Sequence, residues 1–373
     1  MQTRSGPQAA SGPIPSLDGI RAVSVALVFF SHNGLGDVVP GGLGVTIFFV
    51  LSGYLITTLM RGEFAESGSV SFRAFYLRRF LRLIPPLLVI TCLSVLISLT
   101  TGLGDPFTAT GLASVLLYFS NYFQIVHGPF AQPPGLGVTW SLAVEEHYYL
   151  LYPPLALLLL RLGRPRFSAL VLSGLCLLIL AWRCWLMRHG ASLEHLSIST
   201  DTRVDAILIG CVLAVARNPW IDAPPAPRPG REFALAAACM AALIVSLVWR
   251  DEFFRFTLRY TVQSAAIAGL LYLAVARAAA WPFRWLNVRP LVYLGAVSYT
   301  VYLAHYLVLH WTFVHLGGLG RIGVALVGAA ITLAIAELMR RFVENPCAVL
   351  RRRLHHGFVA APPTQGAAAG RAS

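Results

Sequence analysis

Three groups of ionisable residues lie inside or beside long apolar runs. The first begins at Ser16-Leu-Asp-Gly-Ile-Arg21 and ends, after an apolar stretch, at Ser31-His32. On a helix the eleven-residue separation lifts His32 roughly 16 Å above Arg21. That sets the arginine near one membrane face and the imidazole close to mid-membrane. An imidazole ionises near neutrality and is costly at membrane depth, so it marks a functional site by default. The plainer alternative is a histidine bonded inside a bundle or snorkelling to an interface. The second group is Arg78, Arg79 and Arg82, in Phe75-Tyr-Leu-Arg78-Arg79-Phe-Leu-Arg82-Leu-Ile-Pro85-Pro86. Arg78 and Arg82 share a helical face, and guanidinium forks fit phosphate oxygens. An anchor on anionic headgroups is the structural alternative. The third is Glu145-Glu146-His147, at the head of an apolar helix that opens near Trp140. Adjacent helical carboxylates point about 100° apart, so at most one faces a given site. Either the helix dipole favours them there, or one orients His32.

Other clusters are less decisive. In Asp201-Thr-Arg203-Val-Asp205 the alternating charges can satisfy one another, a structural role. Tyr299, Tyr302 and His305 fall on neighbouring turns of one apolar run, with His310 beyond. Glu337 and Glu344 flank Arg340 and Arg341, as in an ion-paired helix end. The glycines of Gly41-Gly42-Leu43-Gly44 and Gly53 allow close helix packing, or leave room for an acyl chain or cofactor arm. The six cysteines show no ligand spacing, and no metal site is expected. Nucleotide P-loop, dinucleotide glycine, HExxH and G-x-S-x-G patterns are all missing.

These groups need helices to hold them. The 373 residues are 57% hydrophobic and only 12% charged, with mean hydropathy +0.68, which predicts an all-α polytopic membrane protein. The net charge of +13 is carried entirely by arginine and calls for no nucleic-acid partner, because arginine collects in cytoplasmic loops. Eleven apolar segments can be drawn. If 107–124 does not cross, ten spans with both termini cytoplasmic place 22 arginines inside against 7 outside. That segment then reads as re-entrant or interfacial, which requires cover by protein or a wet cavity. The predicted organisation is a tail over 1–13, a membrane domain over 14–346, and a basic tail over 347–373, both tails disordered. No cleavable signal peptide is expected.

In order along the chain stand SLDGIRA with R-x10-H, GGLGVTIFFVLSGYLI, FYLRRFLRLIPP, TWSLAVEEHYYLLYPP, DTRVDAILIGCVLA and LGAVSYTVYLAH. Together they resemble the acyltransferase-3 family of integral-membrane acyltransferases over roughly residues 14–346. The family's usual EEQFYLLWP differs here at His147, Tyr148 and Tyr152. The resemblance implies transfer of an acyl group, often acetyl from acetyl-CoA, to a hydroxyl of a carbohydrate such as an exported polysaccharide, O-antigen or lipid-linked sugar. It implies residence in the bacterial inner membrane. His32 and Arg21 match the family's essential first-helix pair, Arg79 and Arg82 its RxxR motif, and Glu145 and Glu146 its paired acids. Some relatives carry an SGNH-type hydrolase domain after the membrane unit, which this chain is expected to lack.

On that reading Arg78, Arg79 and Arg82 hold the phosphates of acyl-CoA. Arg21 positions the donor or pairs with Asp18, three residues earlier on the same face. The thioester reaches inward to His32 while the glycan approaches from the opposite membrane face. A transporter with Arg21, His32, Glu145 and His305 as a relay is the rival, weakened by the lack of internal symmetry.

Overall fold

A computed structural model describes residues 14–222 and 224–351. In chain order the helices are α1 Leu17–Phe30, α2 Gly41–Ser67, α3 Phe72–Thr101, α4 Ala109–Leu116, α5 Ser120–His127 and α6 Trp140–Arg161. There follow α7 Pro165–Arg188, α8 Leu193–Ile198, α9 Thr200–Ala216, α10 Pro229–Val248 and α11 Glu252–Phe256. The last are α12 Leu258–Ala276, α13 Arg289–Ala296, α14 Ser298–Leu316 and α15 Gly320–Met339. No strand occurs among the described residues.

Among those residues, six stretches are long and apolar enough to cross a bilayer: α2, α3, α7, α10, α12, and the joined Ser298–Arg351 that carries α14 and α15. The chain is an all-α polytopic membrane protein. Three other long helices fall short of that test, each with charged residues within its apolar run or an early interruption. α1 is 14 residues long because a π-turn, Ser31–Leu35, takes over at its end and contains His32. α6 bears Glu145 and Glu146, and the 17-residue α9 bears Asp201, Arg203 and Asp205.

Segment 107–124 does not form one helix. Tyr118, at φ 57°, separates α4 from α5, each eight residues and too short to cross. Their irregular connections are covered by buried amides. Gln124 donates to Gln132 and to the Gly137 carbonyl, both at 2.8 Å, and Gln132 donates to Ser114 at 2.6 Å. This polar knot ends in the turn Leu136–Thr139 that launches α6 and so sets the height of its carboxylates.

α2 is the central helix: 72% of its apolar window is buried, against 11% for α10 at the periphery. It packs on α1, α6, α9 and α12. Its crossing with α9 depends on glycines. A Cβ at Gly53 would stand 1.8 Å from the Ile207 carbonyl oxygen, and one at Gly210 would stand 2.1 Å from that of Val50. The Ser24 hydroxyl donates to the Gly44 carbonyl at 2.5 Å, clamping α1 to α2. Of the two readings of the glycine-rich segment, close packing accounts for Gly44 and Gly53.

At the C-terminal end, residues 347–351 are helical and continue beyond a second π-turn at Arg340–Glu344. A disordered tail starting at 347 is corrected to that extent, because this stretch extends the helical run. The remainder of that predicted tail, and the predicted tail over 1–13, lie outside the described residues.

Candidate active site

α1, α2, α3, α6 and α14 enclose a cavity of about 670 Å³, its mouth included. Arg21, Arg79, Arg82 and Glu145 all line it, with Ser52, Tyr149, Tyr299 and Tyr302. Four sequence-predicted residues from three separate motifs therefore converge. Arg21 is held by Asp18 at 2.7 Å, the same-face pairing foreseen from their spacing. Glu145 accepts from the Ser52 hydroxyl at 2.7 Å and from Tyr149 at 3.3 Å. The Arg79 guanidinium lies 4.7 Å above the Tyr149 ring, so one tyrosine fixes both a carboxylate and a cation. Arg79 and Arg82 form no ion pair with a carboxylate among the described residues. Both guanidiniums keep donors to offer a ligand.

The other predicted residues stand around this cavity rather than in it. Arg78 pairs with Glu63 at 3.1 Å and lines a neighbouring cavity with Arg79 and Arg82. Glu146 diverges from Glu145, as helix geometry requires, and lines a third cavity with Tyr76, Arg79, Tyr118 and Tyr149. Arg79 borders all three.

His32 borders none of them. It is an exposed residue of the turn Ser31–Leu35 after α1, in which Asn33 is buried. The helical backbone breaks there, with Asn33 at ψ 26° and Gly34 in the left-handed region at φ 78°. Among the described residues no carboxylate orients His32. Its Nδ1 lies 2.8 Å from Nε2 of His305, the two rings stacked with centroids 5.1 Å apart, and the Tyr306 ring meets it edge-on at 4.9 Å. The expected link from α6 to His32 is thus replaced by one from α14. Helical spacing groups His305 with Tyr299 and Tyr302, and that spacing is the part of the signal that matters. Tyr302 faces the cavity, with its ring centroid 5.7 Å from that of His305 one turn later. Its hydroxyl is pinned by Ser141 at 2.6 Å and the Val138 carbonyl at 3.0 Å. Tyr302 is therefore a wall shared by the arginine-lined cavity and the histidine pair.

The Asp201–Asp205 cluster is structural, but its charges do not satisfy one another. Asp205 pairs with Arg183 of α7 at 2.5 Å, both side chains fully buried. Asp201 accepts from Trp182 at 2.8 Å and lies 3.1 Å from His195. The Arg203 guanidinium sits 3.9 Å from the centre of the Tyr260 ring and donates to the Ser197 carbonyl at 2.6 Å. At the last helix end Glu337 pairs with Arg340 and Arg341, whereas Glu344 accepts from Thr300 at 2.5 Å.

The family model described as an acyltransferase domain matches residues 14–341. The chain belongs to the acyltransferase-3 family. It is 32% identical over 350 residues to the peptidoglycan O-acetyltransferase OatA of Listeria monocytogenes, covering 89% of this chain and 55% of the relative. It is 28% identical over 378 residues to the O-acetyltransferase OatA of Staphylococcus aureus, covering 95% and 60%. The chain thus spans little more than half the length of the curated relatives it matches. No solved structure matches it. The three departures from the usual acyltransferase-3 motif are each absorbed locally: His147 bonds Thr200 at 2.7 Å, Tyr148 meets the Cys211 sulfur at 3.2 Å, and Tyr152 bonds Thr57 at 2.7 Å.

Proposed function

We propose that this chain is a membrane O-acyltransferase that moves an acyl group, acetyl first, from acyl-CoA to a hydroxyl of a carbohydrate. The observation that carries this is the sharing of helices between two places. α1 supplies Arg21 to the cavity and leads into His32, while α14 supplies Tyr302 to the cavity and His305 to the imidazole pair. Arg21, Arg79 and Arg82 offer forked donors to the phosphates of acyl-CoA, and Arg78 stands by at the adjoining cavity. Glu145, held by Ser52 and Tyr149, accepts from amide N–H groups of the donor's pantetheine arm. Glu146 lines a separate cavity that Arg79 also borders.

At His32 the acceptor O–H bond breaks, its proton passes to the imidazole, and the oxygen bonds to the acyl carbon. The C–S bond breaks and the departing thiolate takes up a proton. In the covalent variant the imidazole first accepts the acyl group and then yields it to the hydroxyl. A glycan of the peptidoglycan kind is the leading acceptor, because the relatives are named for it; exported polysaccharide, O-antigen and lipid-linked sugar share its hydroxyl chemistry. Ten spans in the inner membrane with both termini cytoplasmic agree with the 22 to 7 arginine distribution.

The test is purified protein in lipid nanodiscs, given labelled acetyl-CoA and muropeptides or polysaccharide fragments. Labelled ester should form, and His32→Ala should lower the rate by about 10²–10⁴-fold with an unchanged melting temperature. Undiminished transfer by His32→Ala would remove His32 from the chemistry. Exchange of a labelled solute across the bilayer with acetyl-CoA left unconsumed would make the protein a transporter instead.

A further inference from the structure

The histidine pair carries more information than proximity. His305 is fully buried on α14, and its Nδ1 lies 2.6 Å from the Tyr302 carbonyl oxygen and 3.2 Å from that of Val301. A carbonyl only accepts, so Nδ1 of His305 carries the hydrogen. In the neutral ring Nε2 is then a lone pair. That lone pair faces Nδ1 of His32 at 2.8 Å, so the bond between the rings needs the hydrogen on His32 Nδ1. The remaining nitrogen of His32, Nε2, is left with its lone pair and no hydrogen-bond partner among the described residues. It belongs to an exposed residue, beside a turn whose Val38 is 81% exposed.

We infer that His305 is the positioning residue that fixes the tautomer and ring orientation of His32, so that Nε2 is the reacting nitrogen. This rests on the proposed role of His32, and it names the atom and the device. Acting as base or as acyl carrier, His32 needs a free lone pair directed at its substrate, and a histidine with the wrong tautomer offers an N–H there instead. As Nε2 takes up the hydroxyl proton the ring becomes positive, and its Nδ1–H bond to His305 becomes charge-assisted. The Tyr302 carbonyl behind His305 polarises that acceptor in the same direction. The chain of carbonyl, imidazole, imidazole and substrate does for His32 what a carboxylate does for the histidine of a hydrolase triad, without placing a charge in the membrane. The same turn of α14 puts the Tyr302 side chain on the donor cavity and its carbonyl on His305, which ties the tautomer to the wall of the donor site.

Two substitutions separate this role from packing. His305→Leu keeps an apolar side chain of comparable bulk but offers no acceptor. His305→Gln places an amide oxygen near the site of Nε2. In the nanodisc assay His305→Leu should lower kcat by about 10–100-fold, leave KM for acetyl-CoA within twofold and keep the melting temperature. His305→Gln should recover most of that loss. Nitrogen-15 NMR of His32, labelled as the selectively incorporated amino acid, should show Nδ1 protonated in the wild type and a mixture of tautomers in His305→Leu. A wild-type kcat and an unchanged His32 spectrum in His305→Leu, with His32→Ala inactive, would overturn the inference and spare the proposed function. Equal loss in Leu and Gln variants with lowered melting temperatures would mean a packing role and would also overturn it. An active His32→Ala variant would remove the function itself.

Discussion

Two arginine clusters lie within this helical bundle, and they are built in opposite ways. Around α3, Arg79 and Arg82 stand beside cavities with no carboxylate paired to them, supported by a tyrosine face and a tethered glutamate. Around α7 and α9, Arg183 and Arg203 are packed shut. Arg183 is paired with Asp205, also donates to the Thr257 carbonyl at 3.0 Å, and is fully buried. Arg203 is stacked on Tyr260 with Trp140 and Phe49 also within reach. The residue type is the same; what differs is whether the terminal guanidinium nitrogens are engaged by the protein itself, as in Arg183 and Arg203, although Nε of each has no partner among the described residues. A guanidinium engaged from within holds helices together, and one left open beside a cavity is available to an anion from outside.

The sharpest way to break this contrast is at the closed cluster. Arg183→Ala leaves Asp205 charged and buried, and removing one partner of such a pair costs about 3–5 kcal/mol. A large fall in melting temperature is expected, with activity lost only as fold is lost. Exchanging both partners for apolar residues, Arg183→Met with Asp205→Leu, should restore most of the stability, because a well-packed apolar pair often equals a buried ion pair. Should Arg183→Ala melt like the wild type yet fail to bind acyl-CoA, the closed cluster would be a ligand site and the contrast would collapse.

At the open cluster the order of effects reverses. Arg79→Ala and Arg82→Ala should raise KM for acetyl-CoA by about 10–100-fold, the worth of one charge-assisted hydrogen bond of roughly 1.5–3 kcal/mol, with melting temperature unchanged. Lysine at either position should recover only part of this, since it cannot reproduce the fork. Acetyl-dephospho-CoA sharpens the measurement: the variant that has lost the contact to the 3′-phosphate should treat it no worse than the full donor. A drop in stability without a change in KM at both positions would place these arginines with Arg183.

How much of this was legible beforehand follows from the physics of each signal. Hydropathy draws apolar segments over α1, α6 and α9 as well as over α2, α3, α7, α10, α12, α14 and α15, but charged or interrupted positions keep those three below the length and apolarity of a full span. Helical periodicity correctly sends Glu145 and Glu146 to different cavities, and spacing predicts the Arg21–Asp18 pair. Long-range pairing leaves no trace in one sequence. Nothing in Asp205 names Arg183 as its partner, and nothing in His32 names His305, 273 residues away. The break after α1 had only a faint sequence signal, Gly34, which adopts the left-handed region at φ 78°.

Arg78 supplies the finest test of the contrast, because it lies between its two cases. It is adjacent in sequence to Arg79, yet its guanidinium reaches Glu63, with the two side chains 31% and 27% exposed. A pair so open to solvent is worth at most about 1 kcal/mol. It is neither a structural clamp like Arg183 nor a cation without a paired carboxylate like Arg79. Arg78→Ala should therefore change the melting temperature little and KM for acetyl-CoA by less than about fivefold, with Glu63→Gln matching or slightly improving donor binding by freeing the guanidinium. If Arg78→Ala were as damaging to KM as Arg79→Ala, the Glu63 pair would have to open when donor binds. The boundary of the open cluster would then run through the neighbouring cavity that Arg78 lines.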